Sequence, residues 1–272
     1  MGISTNLENP STLSTNNTTL FPKVARHYGA VDSTNLRAIR AIGEEEPPRH
    51  GDVFLADEQS AGRGQGSNAW FASPGENLSF SLIAYPDHLS VDQIFALTQV
   101  PALAIAAVVR ELLPPTLSPS VRLKWPNDIY VGDQKIAGIL VQNGLRGRTI
   151  AWTVIGVGLN VNEADFPAEL TTTATSLRLL TGTPFDKSAV LNKVFTQLGA
   201  WYTLTAPSGM PELQRAYHVQ LYRLDQPGRY QRTQDGSTFF AVLRGVAADG
   251  RLRLELASGA EEHFALREVR FI

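Results

Sequence analysis

Two stretches of this chain carry residue types suited to holding an anion. The first reads Asp57-Glu58-Gln59-Ser60-Ala61-Gly62-Arg63-Gly64-Gln65-Gly66-Ser67-Asn68-Ala69-Trp70. Glycines at alternate positions, Gly62, Gly64 and Gly66, let backbone N–H groups converge on an anion, and Arg63 adds a planar guanidinium suited to phosphate or carboxylate. The loop has neither the Walker spacing nor a G-x-G-x-x-G that opens a helix, and read alone it is equally a surface loop. The second stretch, Leu123-Lys124-Trp125-Pro126-Asn127-Asp128-Ile129-Tyr130 followed by Lys135-Ile136-Ala137-Gly138-Ile139-Leu140, sets two lysines, an Asn-Asp pair and a proline beside an apolar run. Proline fixes φ and lacks a donor, so Trp125 is held extended and the chain turns into Asn127-Asp128. The plain alternative is a hairpin with Asp133 at its tip and the lysines on its wet face.

A third stretch, Thr153-Val154-Ile155-Gly156-Val157-Gly158-Leu159-Asn160-Val161-Asn162, reads as a buried strand whose end carries two glycines and two asparagines. Glycine there allows close approach of a ligand or of another backbone, and Asn160 can hold a polar group at the strand edge. A strand ending in an ordinary turn fits the same residues.

The elements that must position these residues read as α+β. Strands are expected at Val53–Ala56, Leu78–Tyr85, Val121–Lys124, Ile136–Gln142 and Ile150–Val157. Helices are expected from Ser33-Thr34, whose hydroxyls can cap a segment carrying Leu36, Ile39 and Ile42, and from Ser90, where Ser90 and Gln93 make a capping box. The second runs on through Ile94, Leu97, Ala104, Val108 and Leu112, with Pro101 expected to kink or divide it. A third starts at Asp186 and buries Val190, Val194, Leu198 and Trp201. Past Leu221 the pattern becomes short strands with tight turns: Gly228–Arg232, Thr238–Val246, Arg251–Leu256 and Glu262–Leu266.

With Asp32-Ser33-Thr34-Asn35 near the start, the ordered set resembles the biotin protein ligases. The signatures stand here as S-T-N (Ser33 to Asn35), Q-x-A-G-R-G (Gln59 to Gly64) with Trp70, K-W-P-N-D (Lys124 to Asp128), K-x-A-G-I-L (Lys135 to Leu140) and G-x-G-x-N (Gly156 to Asn160). The resemblance spans residues 25 to 272 and implies a catalytic domain over 21–220 with a mixed sheet related to class II aminoacyl-tRNA synthetases and a small SH3-like β-barrel over 221–272, while residues 1–20, rich in Ser, Thr and Asn, read from composition as a disordered tail. Nothing before Phe21 suggests three helices, so the resemblance is to the monofunctional type without a DNA-binding domain.

The resemblance implies ATP-dependent attachment of biotin to a lysine of a biotin carboxyl carrier protein, through biotinyl-5′-adenylate, with release of pyrophosphate and AMP. Such a site needs cations and N–H donors aimed at the carboxyl and the α-phosphate, and it must exclude water. Lys135 and Arg63 are the leading candidates to bridge the two groups, Lys135 acting electrostatically and not as a nucleophile. By resemblance Ser33, Thr34, Asn35 and Gln59 hydrogen-bond the ureido end of biotin, Gly138 and Ile139 line its pocket, and Gly62, Gly64, Gln65, Arg63 and Lys135 complete it. Lys124, Asn127, Asn68 and Asn160 fall to the nucleotide with Arg63, Gln65 and Lys135. Trp70 is either a wall of the adenine pocket or core packing. Asp128 either holds magnesium, through water, or orients the carrier lysine. One departure stands out: after G-R-G many members carry a second arginine where this chain has Gln65, which donates a hydrogen bond but brings no charge.

Composition fits this reading without producing it. At 272 residues and 43% hydrophobic, the chain can bury a large core with room for a small second domain. A net charge of −2 gives no basis for a nucleic-acid surface. Cysteine is absent, which removes disulfides, thiolate nucleophiles and Cys-ligated metals and makes the cytosol the simplest compartment. Residues 1 to 20 have neither a basic nor an apolar signal-peptide region, and no stretch reads as long and apolar enough to span a membrane. Two other readings stay open: a lipoate or octanoate ligase or transferase of related fold, and a non-catalytic biotin-binding sensor. Oligomeric state is open between monomer and homodimer, and segment Asn162 to Thr175 between a loop that orders over nucleotide and a surface connection.

Overall fold

The computed structural model describes residues 18–66 and 68–272, so the expectation of a disordered tail falls largely outside the described residues. Leu20, at the end of that stretch, is buried, with its carbonyl against Gly199.

Seven strands form one mixed sheet: β1 (Lys23–Val31), β2 (Asp52–Gln59), β3 (Leu78–Ala84), β4 (Val121–Lys124), β5 (Asp128–Val131), β6 (Gln134–Arg146) and β7 (Thr149–Leu159), in the order β1-β2-β3-β7-β6-β5-β4. β1 and β2 run parallel and the other pairs antiparallel. Side-chain alternation sorts the sheet into two faces. Val53, Leu82, Ala84, Ile155 and Val157 enter the main core, whereas Phe54, Ile83 and Val154 enter a small cluster with Ala38 and Ala41 of helix α1 (Thr34–Ala41). The main core is covered by α2 (Ala96–Leu112) and α4 (Lys187–Thr203), with Phe195 of α4 edge-on to Phe80 of β3 at 5.9 Å. Two shorter helices, α3 (Leu177–Thr181) and α5 (Met210–His218), complete the unit.

Several expectations need correction. The capping box at Ser90 and Gln93 forms, but it opens a 3-10 turn over Val91–Gln93 instead of α2. Pro101 lies inside α2 without dividing it, because twelve residues of that helix are buried and packing outweighs one missing hydrogen bond. The stretch Val91–Leu112 does reach membrane-spanning length and hydropathy, at a mean of 1.6, contrary to the sequence reading; 67% of its most apolar 18 residues are buried inside the protein, as befits a core helix. Ser33 is the N-cap of α1 but its hydroxyl makes no cap bond, and the face turned inward is Thr34, Asn35, Ala38 and Ala41, with Leu36, Ile39 and Ile42 only half-buried. This helix presents polar groups to the sheet, and that placement builds the site.

The last part of the chain forms a five-stranded antiparallel sheet from β8 (Pro227–Arg232), β9 (Thr238–Val246), β10 (Leu252–Leu256), β11 (Glu261–Phe264) and β12 (Val269–Phe271), in the order β11-β10-β9-β8-β12. This is the small β unit that the repeating turns announce. Its inner residues Tyr230, Leu243, Leu252 and Leu254 join the same core as the large sheet. Trp125 ties the two units, donating its indole N–H to the carbonyl of Gly250 at 2.9 Å.

Candidate active site

A trough crosses three strands on the α1 face. Register pairs Ser81 of β3 with Gly156 of β7 and Gly156 with Leu140 of β6; one row along, Ser79 pairs with Gly158 and Gly158 with Gly138. The missing side chains at these glycines are filled from above. A Cβ on Gly156 would lie 2.1 Å from Asn35 Oδ1, and one on Gly158 would lie 2.3 Å from Trp70 Cε2. The G-x-G pattern thus provides a floor for an asparagine and an indole.

One end of the trough is a buried polar network. Gln59 Oε1 accepts from the Thr34 backbone N–H at 2.8 Å and from its hydroxyl at 3.1 Å. Asn35 Nδ2 donates to the Leu140 carbonyl at 3.2 Å and to Gln142 Oε1 at 3.1 Å. The Ser81 hydroxyl lies 2.5 Å from Asn35 Oδ1 and 2.8 Å from Thr34 Oγ1. Ser33, Thr34 and Asn35 are all buried, so the network is fixed before any ligand arrives.

The other end is charged. Lys135 Nζ lies 2.6 Å from Asp128 Oδ1, both groups partly exposed, and 5.5 Å from the centre of the Trp70 ring. Two backbone bonds hold Lys135 to the following segment, its N–H to Thr173 at 2.8 Å and its carbonyl from Thr175 at 2.9 Å. Asn127 Nδ2 donates to the Ile139 carbonyl at 2.5 Å while Ile139 N–H returns a bond at 2.9 Å, pinning the turn that carries Asp128. The hairpin with Asp133 near its tip and the site are therefore the same object.

The glycine-rich loop is a small hairpin, bridged at Arg63 and Ala69, with Gly64 N–H bonded to Asn68 O and Trp70 N–H to Gly62 O. The Gly64 N–H is thus committed to the hairpin and not turned to an anion. The glycines permit close approach of the two arms: a Cβ on Gly62 would lie 2.7 Å from the Trp70 carbonyl. Arg63 is exposed at the cavity wall.

The structure brings Ser33, Thr34, Asn35, Gln59, Arg63, Gly64, Gln65, Asn68, Trp70, Asn127, Asp128, Lys135, Gly138 and Ile139 around one cavity of about 160 Å³. Gly62, Lys124 and Asn160 stand outside its lining. Lys124 donates to Tyr130 Oη at 3.1 Å and sits 4.6 Å above that ring and 5.5 Å from Phe271 of the small sheet. Burial lowers its pKa, opposed by Asp128, and burial pushes the Tyr130 phenol up to about 12. Asn160 donates to the Thr175 carbonyl at 3.0 Å, and its Oδ1 is buried without a partner among the described residues, as is Trp70 Nε1.

Sequence reasoning missed Ser81 and Gln142, the supports of Asn35. A signal existed: serines at alternate positions of Leu78-Ser79-Phe80-Ser81-Leu82 mark one polar face in a strand that is buried throughout. Segment Asn162 to Thr175 is anchored through Glu163, whose carboxylate is buried and accepts from Ser73 N at 2.9 Å, Ser73 Oγ at 2.8 Å and Asn77 Nδ2 at 2.7 Å.

Comparison with known proteins gives concordant results. The sequence profile of the Biotin/lipoate A/B protein ligase family matches residues 29–160. The bifunctional ligase/repressor BirA of Salmonella typhimurium is 32% identical over 228 residues, 83% of this chain and 67% of that protein. The biotin–[acetyl-CoA-carboxylase] ligase of Paracoccus denitrificans is 28% identical over 236 residues, 85% of this chain and 93% of that one. Among solved structures, the biotin protein ligase of Aquifex aeolicus in complex with biotin and ATP superposes with a TM-score of 0.74 at 22% identity, covering 93% of this chain and 98% of that one.

Proposed function

The chain belongs to the biotin protein ligases, within the biotin/lipoate A/B protein ligase family, and we propose that it joins biotin to a lysine of a biotin carboxyl carrier protein at the trough between α1 and the Gly62–Trp70 hairpin. It is an ATP-dependent biotinylating enzyme. The observation that carries the assignment to this site is one cavity with a buried neutral polar network at one end and the Lys135–Asp128 pair at the other.

In the first step a biotin carboxylate oxygen attacks the α-phosphorus of ATP, the bond from that phosphorus to the β-bridging oxygen breaks, and pyrophosphate leaves. Lys135 and Arg63 stabilise negative charge on the carboxyl and the α-phosphate. In the second step the neutral amine of the carrier lysine attacks the acyl carbon, the bond to the adenylate oxygen breaks, and AMP leaves with those electrons. Asp128, the one carboxylate among the described lining residues, is placed to receive the amine's proton or to orient the amine.

Magnesium enters with the nucleotide in this reading. Among the described residues no cluster of three or more His, Asp or Glu offers a dedicated cage, and one carboxylate plus phosphate oxygens suits a hydrated magnesium ion. Asp128 would be the residue to hold it, through water, as the alternative to serving the carrier amine, and magnesium would supply charge neutralisation on the phosphates.

The polar network favours biotin over lipoate. A urea offers both donors and acceptors to the polar groups of Thr34, Asn35 and Gln59 that line the cavity, whereas a dithiolane offers no donor. Residues 21–220 are assigned the chemistry and 221–272 a supporting domain, and a cysteine-free ATP-dependent enzyme suits the cytosol. Biotin-dependent exchange of labelled pyrophosphate into ATP tests the reading: exchange with biotin and none with lipoate is expected, and exchange with neither, from folded protein, contradicts it.

A further inference from the structure

Among the described residues Glu163 is the one Asp, Glu, Lys or Arg side chain that is buried, and Ala164 and Asp165 beside it are exposed. A buried carboxylate is costly unless donors are aimed at it. This one has three: the Ser73 N–H at 2.9 Å and the Asn77 amide at 2.7 Å on Oε2, and the Ser73 hydroxyl at 2.8 Å on Oε1. All three are neutral and all come from the stretch that leaves the Gly62–Trp70 hairpin for strand β3. Bonds to an ionised acceptor are roughly twice as strong as neutral ones, so Glu163 makes a firm joint between two irregular segments.

Those segments carry two groups that meet at the charged end of the trough. On the first, Trp70 shortly precedes Ser73 and covers Gly158. On the second, the Glu163 carbonyl accepts from the buried Ser176 hydroxyl at 2.6 Å, closing residues 163–176 into a loop whose returning arm, Thr173 to Thr175, runs beside Lys135. Strand β7 pairs with β6 only as far as Ala137, so this arm stands in for a strand next to Lys135, accepting from its N–H and donating to its carbonyl. Asn160 Nδ2 holds the arm to the end of β7 through the Thr175 carbonyl at 3.0 Å. A second contact reinforces the joint: Phe71, next to Trp70, meets Phe166 of the loop with ring centres 6.3 Å apart.

Lysine has a long side chain, and the place of its ammonium depends on how firmly its backbone is held. Lys135 Nζ is 2.6 Å from Asp128 Oδ1 and 5.5 Å from the centre of the Trp70 ring. A Cβ on Gly138 would lie 3.0 Å from Lys135 Nζ and 3.1 Å from Trp70 Cζ3, so ammonium and indole share one spot of the trough floor. Glu163 itself stands outside the lining of the trough.

We propose that Glu163 is a positioning residue for activation of the carboxylate: its hydrogen bonds lock the root of the Gly62–Trp70 hairpin to the loop beside Lys135, so that indole and ammonium close on the reacting groups as one unit. This rests on the ligase reading of the trough. Glu163 touches no substrate and acts through Lys135 and Trp70.

The test compares Glu163→Ala, Glu163→Gln and Ser73→Ala with wild type in biotin-dependent exchange of pyrophosphate into ATP, and reads backbone amide hydrogen exchange on the same proteins. The network of Thr34, Asn35 and Gln59 lies at the other end of the trough. Glu163→Ala is therefore expected to hold the KM for biotin within about twofold while kcat falls about 10- to 100-fold, the scale of loss for a misplaced group. Glutamine can keep all three bonds, its carbonyl accepting from the Ser73 N–H and Asn77 while its NH2 donates to the Ser73 hydroxyl, and so returns kcat to within about fivefold of wild type. Ser73→Ala removes one bond at a half-buried position and should show the same split at about two- to fivefold. Amides of Lys135 and Thr175 are expected to exchange faster in Glu163→Ala, although neither bonds Glu163. Wild-type kcat in both alanine variants, a glutamine variant as slow as Glu163→Ala, a biotin KM that rises as far as kcat falls, or unchanged exchange at Lys135 and Thr175 overturns the proposal. If the ligase reading itself is wrong, wild type forms no adenylate from biotin and ATP, a failure visible independently of these variants.

Discussion

Gly156→Ala puts the geometry of the trough to a quantitative test. The glycine lies mid-strand with φ outside the left-handed region, so alanine suits the backbone and any cost is steric. The new methyl would sit 2.1 Å from Asn35 Oδ1, 2.8 Å from its Cγ and 2.9 Å from its Nδ2, and the amide has to leave. Asn35 then gives up its bonds to the Leu140 carbonyl, to Gln142 and to Ser81. At about 1 kcal/mol net for each bond, with relaxation recovering part and unpaired buried groups adding to the loss, the variant loses about 2–4 kcal/mol of stability. Urea unfolding measures this, provided the m-value is unchanged. A double-mutant cycle identifies the cause. Asn35→Ala removes the group with which the methyl collides, so adding Gly156→Ala to it costs less than about 1 kcal/mol, and the pair couples by about 2 kcal/mol. Additivity within about 0.5 kcal/mol, or a Gly156→Ala variant as stable as wild type, refutes the argument that the G-x-G strand exists to seat Asn35.

Three further perturbations read other parts of the site. Gln65→Arg restores a charge beside the phosphates and slows release of the adenylate by about 1–3 kcal/mol, measured by chasing preformed adenylate; equal release rates count against it. Trp125→Phe removes the bond to the Gly250 carbonyl that ties the two units and costs about 1–2 kcal/mol, read as a lower urea midpoint, and an unchanged midpoint means the tie is carried elsewhere. Burial depresses the pKa of both His50 and His88 in the folded protein. The unfolded chain therefore takes up these protons first, below about pH 6.5. Tm is expected to be insensitive to these groups above that pH and to fall as the pH drops from there through the folded pKa values. His88→Gln should flatten the decline, and a Tm that rises on acidification contradicts the sign.

Much of the fold is readable because its signals are local. Strand β3 is apolar and bounded by turn residues, and the strict alternation of Arg251 to Leu256 can serve only a half-buried strand. Strand β1 escaped because Lys23–Val31 carries lysine, arginine and histidine at a sheet edge, where solvent tolerates them. Pro101 misled because the rule about proline is a local one, and the buried surroundings of α2 override it.

The candidate site was readable as an ordered set of motifs, and the cavity gathers most of their residues. What the motifs do not convey is register. That Ser81 joins the row of Gly156 and Leu140 depends on the pairing of β3 with β7, between residues 75 apart along the chain, which no local pattern encodes. The meeting of Arg267 with Gly66 is more distant still, and only the packing of the small sheet against the hairpin reveals it.

The central claim is that Lys135, paired with Asp128 at 2.6 Å, supplies the charge that lets biotin's carboxylate be activated and transferred. The most direct measurement is biotin transfer to a purified carrier domain with ATP and magnesium, comparing wild type with Lys135→Ala and adding excess lipoate. The pair is partly exposed, so the variant should lose no more than about 1 kcal/mol of stability, while transfer falls at least about 100-fold and lipoate leaves the wild-type rate untouched. A folded Lys135→Ala variant that transfers biotin at the wild-type rate would contradict the account.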